Sequence, residues 1–334
     1  MKVTDFSVFL HRFLTDYLPN ERGASSNTVD TYRYTFILFI GFLEEEGIKA
    51  DRFEIQDLNR TLVLDFLEWI EGKGNSISTR NNRLAAVLSF INYLKLEYPD
   101  YLDQYIEISA IPLKKNVKTS VDYIETEGIK LIISKTDRKT IKGYRDYMII
   151  FIMYETGVRV SELSNIRLKD FHKAKPYYLK VFGKGNKERL IPLAKEVIDE
   201  LDGYLSFSNL KNKPLDHLLF FNNRNEPFTR AGIANIIGKY VDAARKENPL
   251  LIPEKVSPHT LRHSKAMNLL QCGVNLVYIR DFLGHTSIQT TEIYARANSR
   301  IKQEAIESAY QNIYPAEKPE WEDESILHWL KQFS

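Results

Sequence analysis

Cysteine is all but absent from the 334 residues, with Cys272 standing alone. A single thiol excludes an internal disulfide framework and any zinc site built from several cysteines, and a reducing cytoplasm is the expected setting. Long apolar runs are missing as well. Stretches such as Met148 to Met153 fall far short of the ~20 residues that a bilayer-spanning helix needs. Near the N-terminus Lys2, Asp5, His11, Arg12 and Asp16 interrupt the apolar positions at helical spacing, so no secretory leader is expected. There is no internal repeat, no low-complexity tract and no acidic cluster of the kind that holds a catalytic metal. What remains, 43% hydrophobic and 27% charged residues, is the balance of a globular chain long enough for two cores.

The net charge of +2 conceals a division. Residues 1–115 carry 13 Lys/Arg against 17 Asp/Glu, residues 116–314 carry 31 against 22, and the last twenty carry 2 against 5, giving −4, +9 and −3. A basic middle with acidic flanks suits a polyanion-binding domain, although an ordinary solvated surface has the same balance.

Apolar periodicity predicts a helical N-terminal region. Phe6, Phe9, Leu10, Phe13, Leu14 and Tyr17 form one stripe ahead of Pro19; Thr28 to Glu46, Asp57 to Glu71 and Ser78 to Glu97 supply three more helices, hence a four-helix bundle. Pro99 and Pro112 and the basic run Leu113 to Lys118 mark a connector. Beyond it, Thr126 to Ser134 and Tyr144 to Glu155 are expected as helices, with Gly157 closing the second. Tyr177 to Phe182 and Glu188 to Pro192 are expected as a hairpin with a basic tip. The expected fold is therefore mostly α with a small β-hairpin or sheet in the second domain. Expected boundaries are 1–113 for the bundle, 114–122 for the linker, 123–314 for the second domain and 315–334 for a tail with a short helix.

Chemistry-bearing residues concentrate in that second domain. Ser257 and Pro258 begin a helix whose first turn holds His259, with Arg262 one turn on; free N–H groups there favour an anion. Gly284 stops the helix Asn275 to Leu283, His285 follows directly, and Thr286 to Gln289 fits a capping box for a helix bearing Tyr294. Arg159 follows the helix break at Gly157, and Lys184 sits at the hairpin tip. The run Gly183 to Lys187 lacks the spacing of a nucleotide-binding P-loop, and His259 with His263 lacks the further ligands of a zinc site. No cofactor and no metal is expected. Taken singly, each position also fits a capped helix, an exposed loop or core packing.

As an ordered set, Arg159, Lys184, His259, Arg262, His285 and Tyr294 strongly resemble the tyrosine recombinases, which include phage-type integrases and the two-domain Xer-like enzymes. The strings are TGVRVSEL (156–163), GKGNKERLIP (183–192), SPHTLRHS (257–264) and LGHTSIQTTEIY (283–294), with a weaker match at 27–39 and 78–93. The resemblance implies an N-terminal, SAM-like core-binding domain and a catalytic domain. It implies that Tyr294 attacks a DNA phosphate to give a 3′-phosphotyrosine, that Arg159 and Arg262 clamp the phosphate oxygens, that His285 adds a donor, that His259 serves as base or proton relay, and that Lys184 protonates the leaving 5′-oxygen. Covalent capture conserves the phosphodiester energy, so neither ATP nor metal is needed.

Expected partners are double-stranded DNA with inverted-repeat core sites, bound as a dimer per site and a homotetramer on two sites, with an accessory DNA-bending factor as a further candidate and no membrane. Arg80, Arg83, Lys114, Lys115, Lys118 and Lys187 are candidate DNA contacts. Ile326, Trp329, Leu330 and Phe333 form an apolar face for docking onto a neighbouring protomer, or in cis. A prokaryotic, cytoplasmic, DNA-associated setting follows. Integration or excision of a mobile element is the leading role, with Xer-like dimer resolution as the alternative. Relaxation of the type IB topoisomerase kind and a non-catalytic DNA-binding protein stand behind these.

Overall fold

The computed structural model describes residues 4–115, 122–183, 187–285 and 291–294. The chain divides into two units, Met1–Lys118 and Thr119–Ser334.

In the first unit α1 (Asp5–Arg12) starts at Thr4, whose hydroxyl accepts from the Ser7 amide at 3.3 Å. It continues into a π-helical stretch, Phe13–Glu21, that contains Pro19. Ser25, Asn59 and Ser76 cap α2 (Ser26–Glu45), α3 (Arg60–Gly72) and α4 (Ile77–Glu97), each satisfying an amide of the first turn. These helices enclose an aromatic core. Phe39 meets Phe66 edge-on with ring centroids 5.2 Å apart, and Phe6 meets Phe53 at 5.0 Å, the arrangement that the ring quadrupole favours.

The stretch from Pro99 onward, whose prolines read as a connector though it lies inside the expected 1–113 boundary, packs as part of the bundle. Pro99 opens a 3₁₀ turn, Pro99–Tyr101, that leads into α5 (Leu102–Ser109), so the proline starts a helix here. Tyr105, Ile108 and Ile111 are all buried and make α5 the fifth helix of the core. Arg80 belongs to this packing. It is 3% exposed, and its Nη1 donates to the Pro112 carbonyl at 3.0 Å and to Asn81 Oδ1 at 3.1 Å. Its guanidinium ties α4 to the chain after α5, so the phosphate contact expected of it is not available in this conformation.

The second unit is built round α7 (Ile141–Thr156), which buries residues on nearly every side, among them Met148, Ile149, Ile150, Ile152 and Met153. Around it lie α6 (Thr126–Ser134), the short α8 (Val160–Leu163), α9 (Lys195–Phe207), α10 (Arg230–Glu247), α11 (Pro258–Gln271) and α12 (Leu276–Leu283). The sheet has three antiparallel strands in the order β1-β2-β3, being Phe171–His172, Tyr178–Phe182 and Glu188–Pro192. The expected hairpin is β2–β3; β1 adds a short third strand on the other edge of β2. Leu179 faces Ile191 across the hairpin and Val181 faces Arg189. Helix α11 packs on α7, while α12 packs on α11 and β3. A satellite cluster of Ala266, Met267, Leu270, Ile279 and Leu283 surrounds Tyr294. Among the described residues, no helix is long and apolar enough to cross a membrane.

Candidate active site

Helix α7 ends because Gly157 adopts a left-handed φ of +57°, and a Cβ there would come 2.8 Å from Leu283 Cδ2. Glycine is required on both counts. The turn delivers Arg159 to the start of α8, and Glu162 reaches back one turn. Its carboxylate accepts from the Arg159 amide at 2.7 Å and from Arg159 Nη1 at 2.9 Å. From β3, Arg189 forks onto both oxygens of the same carboxylate, at 2.7 and 2.8 Å. Glu162 is 6% exposed. Burial alone would raise its pKa, but hydrogen bonding and charge from Arg189, then Arg159, outweigh this and hold it below the usual carboxylate range.

The arginines also converge on the end of α12. Arg262, 3% exposed on α11, donates to the carbonyls of Gly157 and Leu283. Arg159 Nη2 donates to the next carbonyl, that of Gly284, at 2.9 Å. Gly284 itself has φ +65° and lies where a Cβ would meet Arg189 Cδ at 2.9 Å. Two guanidinium groups, those of Arg159 and Arg189, thus share one carboxylate, while Arg262 is held by backbone carbonyls. Burial first, then Arg159 and Arg189, push Arg262 down to about 9, so it stays cationic at neutral pH while carrying charge that its surroundings do not fully offset.

Next to these donors lies the phenol. Tyr294 sits in the helical residues 291–294 and is 0% exposed. Its hydroxyl lies within hydrogen-bond distance of His263 Nδ1, at 2.8 Å. Its ring lies 6.4 Å from that of His285, nearly parallel at 19°, and His285 Nδ1 meets Thr291 Oγ1 at 2.9 Å. Burial pushes Tyr294 up to about 12, with Arg262 opposing. Burial, then neighbouring charge, brings His263 and His285 down to about 4 each. The same causes lower His259, which feels Arg262, Arg159 and Arg230. Both rings beside the phenol, those of His263 and His285, are therefore neutral at pH 7.

Arg159, His259, Arg262, His285 and Tyr294 are thus drawn together from separate stretches of chain. Lys184 lies outside the described residues; the Gly183 N–H donates to the Lys187 carbonyl at 2.8 Å. Lys118, Ile326, Trp329, Leu330 and Phe333 also lie outside them. Lys115 and Lys187 are exposed; Lys114 pairs with Glu71 at 2.6 Å; Arg83 is half-buried, bonds Thr35 Oγ1 at 3.1 Å and stacks over Tyr34.

Sequence reasoning passes over Glu162, Arg189 and the contact of His263 with the phenol. Glu162 had a signal, since it stands at the third helical position after Arg159, where an acid caps. Arg189 had none to separate it from Lys187. Among the described residues, no group of three or more His, Cys, Asp or Glu could hold a metal ion.

A sequence profile of the phage integrase family matches residues 122–300, and one for the phage integrase N-terminal SAM-like domain matches residues 10–98. This chain belongs to the phage integrase family, the tyrosine recombinases. Its activity is of the tyrosine-recombinase type, site-specific cleavage and rejoining of DNA. A Sinorhizobium fredii protein named as an integrase/recombinase, y4rC, is 32% identical over 91% of this chain and 92% of that protein. Tyrosine recombinase XerD of Staphylococcus haemolyticus is 31% identical over 90% of this chain and 96% of that one. Among solved structures, XerH bound to palindromic difH substrate after cleavage superposes with a TM-score of 0.68 at 25% identity, over 86% of this chain and 80% of that one.

Two outcomes follow for this recombinase. Replacing Glu162 by Ala leaves the near-buried Arg189 guanidinium uncompensated; a loss of about 3–5 kcal/mol is expected in chemical denaturation. The second concerns acid. Folded His263 and His285 have pKa values of about 4, below the ordinary 6.5, so between those values the unfolded chain binds protons that the folded chain refuses. The stability from keeping these rings neutral is complete above pH 6.5 and is lost as pH falls toward 4. Melting followed from pH 7.5 to 4.5 should show the decline, and H285N should flatten it.

Proposed function

We propose that Tyr294 is the nucleophile, attacking a scissile DNA phosphate to form a 3′-phosphotyrosine and a free 5′-hydroxyl. Arg159 and Arg262 hold the non-bridging oxygens, His285 donates to the developing phosphorane, His259 assists proton movement, and Lys184 protonates the leaving 5′-oxygen. The observation that carries this reading is the grip of Arg159 and Arg262 on consecutive carbonyls at the end of α12, one residue before His285. That grip holds the two guanidinium groups side by side at the end of α12. Planar guanidinium donors suit phosphate oxygens, and a site this rich in fixed positive charge repels a metal ion, which supports a metal-independent step. Because Tyr294 is fully buried, the bound duplex must uncover its hydroxyl before attack.

The duplex is proposed to carry inverted-repeat core sites, with Lys114, Lys115, Lys118, Lys187 and Arg83 near its backbone and four protomers pairing two sites. Integration or excision of a mobile element is the proposed role. Resolution of replicon dimers is the second reading, favoured by the likeness to XerD along 96% of that protein. The Lys114–Glu71 pair is open to exchange, since an exposed ion pair is worth little and phosphate can take the carboxylate's place.

On a nicked suicide duplex, the wild type should accumulate a covalent protein–DNA band and Tyr294→Phe none, with duplex binding unchanged and falling steeply with salt in both. An adduct of undiminished yield from Y294F would move the nucleophile elsewhere. Deleting residues 315–334 should spare single-site binding yet abolish the paired-site complex on native gels; full recombination by the truncated chain would exclude docking of the tail in trans.

A further inference from the structure

Proton transfer at the nucleophile needs a group within hydrogen-bond reach of the phenol. The histidine that the family resemblance assigns to this task, His259, has its ring centroid 6.5 Å from that of His263. It is His263 Nδ1 that lies 2.8 Å from Tyr294 Oη. We propose that His263 takes the Tyr294 proton as the phenol attacks phosphorus, an assignment that rests on the strand-transfer reading above.

Three features support it. Tyr294 packs among Met267, Leu270, Ile279 and Leu283, and His263 is carried by α11, the helix that also bears Arg262. On its other side His263, with His259, Thr260 and Asp122, lines a cavity of about 550 Å³. The Asp122 carboxylate there favours the protonated ring, whereas His259 and Arg262 disfavour it. The third feature is gating. With the ring's pKa about 4 and the phenol's about 12, the proton stays on oxygen in the free protein. Burial is the chief cause of the ring's low value and Arg262 a lesser one, so a phosphate held by Arg262 raises the ring's basicity by countering that charge.

The step balances. The phenol O–H bond breaks and Nδ1–H forms, leaving an imidazolium; the phenolate oxygen bonds phosphorus as the P–O5′ bond breaks; and the departing oxygen takes its proton from Lys184. Religation reverses each transfer.

The test uses the full chain as wild type, H263A and H263N, on suicide duplexes bearing either oxygen or sulfur at the scissile 5′ position. Asparagine keeps an acceptor near Nδ1 but takes no proton, and sulfur departs without one, relieving defects on the leaving side alone. Both variants should bind the duplex normally, form adduct about 10²-fold more slowly or worse, and stay slow with sulfur. Recovery by H263N, recovery with sulfur, or cleavage faster than wild type would each overturn the assignment, the last by marking His263 as a restraint. Should H263A melt early, H263N carries the comparison. A wild type that forms no adduct overturns the strand-transfer reading and this assignment with it, whereas an active wild type with an unimpaired H263A overturns this assignment alone.

Discussion

Like charges repel, and the catalytic unit spends much of its architecture holding three of them together. Arg159, Arg189 and Arg262 are kept close by the buried carboxylate of Glu162 and by backbone carbonyls at Gly157, Leu283 and Gly284. Carbonyl dipoles satisfy guanidinium N–H groups without neutralising them, so the donors are fixed while the charge persists. Such preorganisation lets a site stabilise a crowded anionic phosphorus without reorganising at the moment of reaction.

The same network joins elements far apart in sequence. Glu162 on α8 is bonded from β3 by Arg189, whose side chain lies against Gly284 at the end of α12. The hairpin, α8 and α12 therefore meet in one salt-bridged knot. Its two left-handed glycines, Gly157 and Gly284, stop helices just where carbonyls are needed as acceptors. Helix termination here is itself part of the binding chemistry.

Much of this was legible in the residues. Caps and apolar stripes marked most of the helices, and glycines 157 and 284 marked two helix ends that the structure has. Arg159, His259, Arg262, His285 and Tyr294 were singled out through the family resemblance of their ordered strings, and their convergence depends on tertiary contacts that no local pattern encodes. Helix α5 was missed because Pro99 reads as a breaker when it is an initiator. The burial of Arg80 was not legible because it depends on a carbonyl 32 residues away, that of Pro112. The β1 strand, at two residues, is too short for alternation to reveal.

The apolar wall about Tyr294 has a chemical corollary. Met267, Leu270, Ile279 and Leu283 crowd the ring and leave water little access to its oxygen. An ester formed at that oxygen would meet few competing hydroxide or solvent molecules, so a severed strand would be handed on to another DNA end and not leak away by hydrolysis. Dryness at the proposed nucleophile would in that way preserve the integrity of the DNA being cut.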